Sequence, residues 1–263
     1  MIWQFAKKSA QNKHKSSICL VLVCFMALST YAQQRQQAVQ QHGWYMYYGN
    51  HRLNDTWGLH TEYQFRRHGL IAEWQQSLLR VGVDYHVDPN VQLTAGYGWI
   101  VTFPYGAQPV ITILHENRLW QQALLRQNTG RVRMNHRLRF EQRWVEHFTP
   151  LNDGSLRYDG RNYSDRFRYR FWLEVPLNKT KFEAGTWFAA AYNEMFINFG
   201  QNLRLNRFDQ NRLYGAVGYQ FSQKGNVQLG YMQQLMVKGN AWQEELNNTL
   251  QLAVTYNLDF RHK

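Results

Sequence analysis

A chain of 263 residues carrying 30 lysines and arginines against 18 acids, for a net charge of +12, first brings nucleic acid to mind. The placement of those charges argues against it. The arginines recur at strand spacing instead of forming a basic tail or a recognition helix, and the chain opens on an export leader.

In that leader Lys7, Lys8, Lys13 and Lys15 form a basic n-region, and Ile18 to Leu28 is an apolar run too short to cross a bilayer as a helix. Thr30 and Ala32 are small residues at the cleavage positions. Residues 1–32 are therefore predicted to be a secretory signal peptide cut after Ala32, which is favoured over an uncleaved anchor. Val23 stands before Cys24 where a lipobox needs a small residue. Both cysteines, Cys19 and Cys24, lie in this leader, so the exported chain has no disulfide and no cysteine metal ligand. Residues 33–42 are rich in glutamine and without period, and read as a flexible leader in the periplasm. Residues 43–263 then form a single domain.

Gly43 to Asn50 reads as an aromatic strand, and Asn54-Asp55 as a turn. Trp57, Leu59, Thr61, Tyr63 and Phe65 alternate with His60, Glu62, Gln64 and Arg66. Leu79, Val81, Val83, Tyr85 and Val87 do the same against Arg80, Gly82, Asp84 and His86. Asp88-Pro89-Asn90 turns into a strand from Val91 to Val101. Further strands are expected near 115–127, 131–145, 164–175, 181–196, 209–221, 226–236 and 247–260. The connections alternate, short at 88–90, 128–130, 176–180 and 222–226, and longer at 104–114, 146–163, 197–208 and 237–246. Short periplasmic turns alternating with longer external loops are the signature of an outer-membrane barrel.

The strands near 131–145 and 164–175 carry the strongest charge pattern. Met134, His136, Leu138, Phe140 and Trp144 share one face, while Arg133, Arg137, Arg139, Glu141 and Arg143 share the other. Phe167, Tyr169, Phe171, Leu173 and Val175 stand likewise against Arg166, Arg168, Arg170 and Glu174. A membrane barrel would turn the apolar face to lipid and the charges to its lumen, whereas a soluble lipocalin-like binder would have to turn the apolar face inward. In a narrow lumen the arginines are expected to pair with Glu141, Glu174, Glu116, Glu62 and Glu183, plugging it. The competing reading is an anion-attracting wall. Gly58, Gly82, Gly96, Gly98, Gly185, Gly218 and Gly230 fall on the polar face, where they are expected to leave room for long arginines.

The sequence has no nucleophile elbow, no phosphate loop and no metalloprotease helix, so no catalytic residues, metal or cofactor are assigned and an enzyme is not expected. His136 lies on the apolar face with no serine partner for it on a neighbouring strand, so packing or the interface is the better reading. Asp153, Asp159 and Asp165 could bind calcium but fit solvated turns better.

Glu141-Gln142-Arg143, Tyr192-Asn193-Glu194-Met195-Phe196, and Phe208-Asp209-Gln210-Asn211-Arg212-Leu213-Tyr214 before Gly218-Tyr219 give the chain a resemblance to domain-of-unknown-function family 2490. Glu116 and Arg118 add to it. The resemblance runs from about Trp44 to Phe260 and implies an outer-membrane location, with no activity to carry over.

The expected architecture is an all-β, transmembrane, antiparallel up-and-down barrel of about ten to twelve strands. Single-chain bacterial barrels use even strand numbers, so Gly43–Asn50 should lie outside the wall or a twelfth strand should exist. Expected partners are outer-membrane lipid and the barrel assembly machinery, the latter through the terminal strand ending at Phe260; nucleic acid is not one. The expected role is structural, or limited transport of small anionic solutes, with a lipid-modifying enzyme at the barrel rim as the alternative.

Overall fold

The computed structural model describes residues 35–200 and 206–261, so the predicted signal peptide with its cleavage site falls outside the described residues. The strands are β1 (Gln36–Arg52), β2 (Trp57–His68), β3 (Glu73–His86), β4 (Val91–Thr102), β5 (Leu114–Thr129) and β6 (Val132–Pro150), then β7 (Leu156–Pro176), β8 (Thr186–Phe199), β9 (Phe208–Gln220), β10 (Gly225–Val237) and β11 (Gln243–Tyr256). Each pairs antiparallel with its neighbour in sequence, and β1 meets β11 to close the barrel.

The barrel is odd-numbered, against the expected even parity. All 11 strands stand in the wall, Gly43–Asn50 included, and no twelfth occurs among the described residues. In an alternating meander of odd number the first and last strands point the same way, so they can join only as a parallel pair. Gln36 to Tyr48 run in register beside Gln243 to Thr255. Past β11 the tail continues the seam: the Phe260 amide donates to the Arg52 carbonyl at 2.8 Å, and the Arg52 amide to the Leu258 carbonyl at 2.8 Å. Phe260 thus lies just beyond the last strand, in that bonded tail.

The flexible leader is corrected as well, because residues 36–42 belong to β1. Their glutamines supply ladder backbone, and Gln40 and His42 turn into a polar interior. A strand whose inward face is polar shows no apolar alternation. The expected long loop 146–163 is likewise mostly strand, since β6 and β7 run on to a turn at 151–155. The expected start of a strand at 181 moves to Thr186, leaving a longer connection over 177–185.

One rim of the barrel carries the turns 53–56, 87–90, 130–131 and 221–224 and the connection 177–185 (the turn rim). The other carries the connections 69–72, 103–113, 151–155 and 238–242, and the end of β8 and start of β9 (the loop rim). The 103–113 segment bends inward. Tyr105 packs between His42 and His68, with ring centroids 5.5 and 5.8 Å away, and Gln108 donates to the Gln36 carbonyl at 3.3 Å.

Alternation sets the two faces. Leu59, Leu79, Val81, Val83, Leu93, Leu138, Phe167, Val217, Leu229 and Leu252 stand exposed outside, while Glu62, Arg80, Arg118, Arg139, Glu141 and Glu194 are buried inside. His136 also faces outward, its Nδ1 2.8 Å from the Tyr169 hydroxyl and its ring beside Phe171.

The inward glycines mainly make room for rings, correcting the expectation of arginines. Gly82 and Gly96 are opposite one another across β3 and β4, under Trp120; a Cβ on Gly96 would come within 2.7 Å of Trp120 Cζ2. Gly218 sits under Phe188 and Gly230 under Tyr214. Gly98 alone of these strand glycines lies against an arginine, Arg80. Gly185 is in the connection before β8, at φ +86°, a backbone shape that L side chains rarely adopt.

Candidate functional site

The interior is a charge lattice built by inward positions of adjacent strands. Glu141 on β6 is fully buried and accepts from Arg166 Nη2 at 2.6 Å, Arg168 Nη1 at 2.7 Å and Arg118 Nη1 at 3.3 Å, with Arg80 Nη2 3.5 Å away. Glu194 on β8 accepts from Arg137 at 2.6 Å and Arg168 at 2.8 Å, and Arg212 stands 3.9 Å off. Glu116 takes Arg118 at 2.5 Å and Arg143 at 2.7 Å, Glu62 takes Arg80 at 2.5 Å, and Asp209 takes Arg166 at 2.8 Å. Ion pairs so buried are held by mutual attraction and by hydrogen bonds that satisfy the remaining lone pairs.

Rings fill the spaces between the charges. Trp44 lies between Arg66 and Arg212, whose guanidinium carbons are 3.7 and 5.0 Å from its ring centroid. Arg168 and Arg212 both cover Phe196, at 4.3 and 4.6 Å. Arg139 lies 4.6 Å over Trp120 and donates to Gln122 at 2.7 and 3.0 Å. Stacking of this kind lets a guanidinium stay charged where water is scarce.

Of the residues expected in this lattice, Arg137, Arg139, Glu141, Arg143, Arg166, Arg168 and Arg170 do converge in the lumen. Arg133 is exposed toward the turn rim, 3.8 Å over Phe182. Glu174, its register partner, does face the lumen, and neither makes an ion pair among the described residues. Glu183 sits outside the lattice in the 177–185 connection, paired with Lys179 at 3.0 Å. Glu194, Asp209, Arg66, Arg80 and Arg212 were not anticipated as members. Glu194 is the one charge on β8 and only its inward parity marks it, whereas Asp209 has the opposite parity to Arg212 on β9 and sits at a register shift against β8. The strings that carry the family resemblance meet here: Glu116, Arg118, Glu141, Arg143, Glu194, Asp209 and Arg212 all join the lattice.

The calcium candidates do not converge. Asp153 Oδ1 accepts from the Ser155 hydroxyl at 2.7 Å and amide at 2.9 Å, and that hydroxyl bond holds its carboxyl below the usual range. Asp159 accepts from Arg157 and Asp165 from Tyr163.

Among the described residues, two cavities lie inside the barrel. The smaller, 260 Å³, lies toward the loop rim beneath Tyr105 and Val110. The larger, 540 Å³, runs toward the turn rim, with Pro89 and Asn257 on its edge. Trp44, Arg66, Arg80, Arg168 and Arg212 border both and form a septum between them.

A family model described as a protein of unknown function, DUF2490, matches residues 41–245. No curated protein and no solved structure matches the chain.

Proposed function

Because the chain belongs to the DUF2490 family, which hands down no activity, we propose a function from the geometry alone: a small bacterial outer-membrane barrel whose lumen is closed at rest. The chain is exported by its signal peptide, contacts outer-membrane lipid and is inserted by the barrel assembly machinery. Its role is structural, extending at most to limited movement of small anionic solutes. The apolar outer face supports the membrane reading, as do aromatic pairs toward both rims. Trp57–Tyr85 and Trp187–Tyr219 lie toward the turn rim at 5.0 and 4.9 Å, and Phe65–Trp74 toward the loop rim at 4.6 Å. Aromatic residues gather at the two interfaces of a membrane barrel.

The observation that carries the closed state is the septum. Its guanidiniums are locked by Glu62, Glu141 and Glu194 and by the Trp44 and Phe196 rings, so passage would require breaking buried pairs.

Planar-bilayer recording tests the reading on purified protein whose migration in SDS shifts on boiling, as folded barrels do. No steady channel is expected. Steady anion-selective channels that vanish when Arg137 and Arg139 become glutamate would overturn the closed lumen. Protein that stays soluble and monomeric without detergent would overturn the membrane location.

A further inference from the structure

We infer that the cavity on the turn-rim side of the septum is a binding site for an organic anion, one that couples a carboxylate to an aromatic body. This rests on the closed-lumen reading, in which the cavity is a blind chamber reached from one rim.

Strand register places like charges side by side. Across β6 and β7, Arg137 lies directly opposite Arg170 and Arg139 directly opposite Arg168. Like charges placed directly opposite on neighbouring strands repel. Glu194 answers Arg137 and Arg168, one from each pair, leaving Arg139 and Arg170 with no carboxylate at ion-pair distance among the described residues. Arg139 is 1% exposed and its Nη1 has no hydrogen-bond partner; Arg170 Nε has none either. A buried guanidinium with an open donor is destabilising in itself.

Both cavities have more arginines than acids in their walls, nine against three here and seven against two across the septum, and they differ in pairing. On the other side of the septum, Arg118, Arg143 and Arg166 each hold an acid. A carboxylate entering from the turn rim would meet the Arg139 and Arg170 guanidiniums, which have no acid of their own at ion-pair distance among the described residues, and lose little by leaving water.

The wall beside Arg170 sets the rest of the ligand. Trp172, Tyr192 and Tyr214 form a stack, with centroids 5.2 and 4.7 Å apart, and Arg170 lies 4.8 Å over Trp172. Half-buried Tyr48 faces the same space. At 540 Å³ the chamber falls within the range of small-molecule pockets, about 300–1,000 Å³. An inorganic anion would leave that wall unused.

The test is calorimetric titration of the full barrel, folded in zwitterionic detergent, with 2-naphthoate, its neutral alcohol analogue and inorganic phosphate. Saturable naphthoate binding is expected, at least tenfold weaker in both Arg139→Gln and Arg170→Gln. Phosphate should bind more than tenfold more weakly than naphthoate, and the alcohol should not saturate. Arg170→Gln removes a cation without an acid partner, so it should still fold and keeps the test valid if Arg139→Gln does not. Equal naphthoate binding in Arg170→Gln and the unmodified protein would overturn the proposal, as would saturation by the alcohol or phosphate binding as tight as naphthoate. The titration uses no current. A conducting barrel would overturn the closed lumen, whereas absent binding in a non-conducting barrel would overturn this inference alone.

Discussion

Glu141 touches more arginines than any other carboxylate in the lumen, yet replacing Glu194 with glutamine should cost more stability. Arg80, Arg118, Arg166 and Arg168, the four that reach Glu141, each hold a second acid: Glu62, Glu116, Asp209 and Glu194. After Glu141→Gln every one of them remains paired, and the amide oxygen can still accept. The loss is one carboxylate charge and the arginine bonds of whichever oxygen becomes the amide nitrogen, about 1–3 kcal/mol. Glu194 is different, because Arg137 and Arg212 have no other acid at ion-pair distance among the described residues. Glu194→Gln strands both in a buried lumen, which places it at about 3–5 kcal/mol, the cost of breaking a buried pair from one side. Urea titration of the folded protein in micelles, followed by tryptophan emission, measures both variants; the comparison holds if their m-values match. Adding Arg137→Gln to Glu194→Gln should recover part of the loss, a coupling that a double-mutant cycle isolates. If Glu141→Gln proves as costly as Glu194→Gln, the argument from shared partners is wrong.

Two further outcomes follow from the faces and the seam. Phe140→Arg, on the outer face near mid-strand, should destabilise the barrel in lipid vesicles by about 2–4 kcal/mol, while Asn135→Arg, lining the larger cavity, should cost much less; equal tolerance would refute the assignment of faces. Deleting residues 36–42 removes the partners of Gln243 to Thr249, so the heat-modifiable form should be lost, and an unchanged gel shift would show the seam to be dispensable.

The faces of most strands were legible in the sequence because a period of two survives wherever one side is apolar and the other polar. It failed where that contrast disappears. In residues 36–42 the inward side is Gln40 and His42 and the outward side also holds glutamine, so the segment looked like a tether. At the far ends of β6 and β7, Arg157, Asp159 and Arg161 are exposed beyond the apolar belt, and two strands looked like a loop. The arginine stripe was legible on β6 and β7 because several charges share one strand. Glu194 and Arg212 were not, since partnership across a lumen depends on which strands face one another, and local period carries no record of that. Gly82, Gly96, Gly218 and Gly230 keep the expected face but have rings as neighbours instead of arginines, because Trp120, Phe188 and Tyr214 come from other strands.

Eleven strands cannot be divided evenly into hairpins. Every strand from β2 onward can be grouped with a neighbour joined by a connection at the loop rim, which leaves β1 as the single strand without such a mate. The chain consequently enters the wall at the loop rim, at Gln36, and leaves it at the turn rim, after Tyr256. In a bilayer, labels attached just before Gln36 and just after Arg261 would report from opposite compartments. An even-stranded barrel keeps both of its ends at one rim; this one has a polarity from end to end, set by its first strand alone.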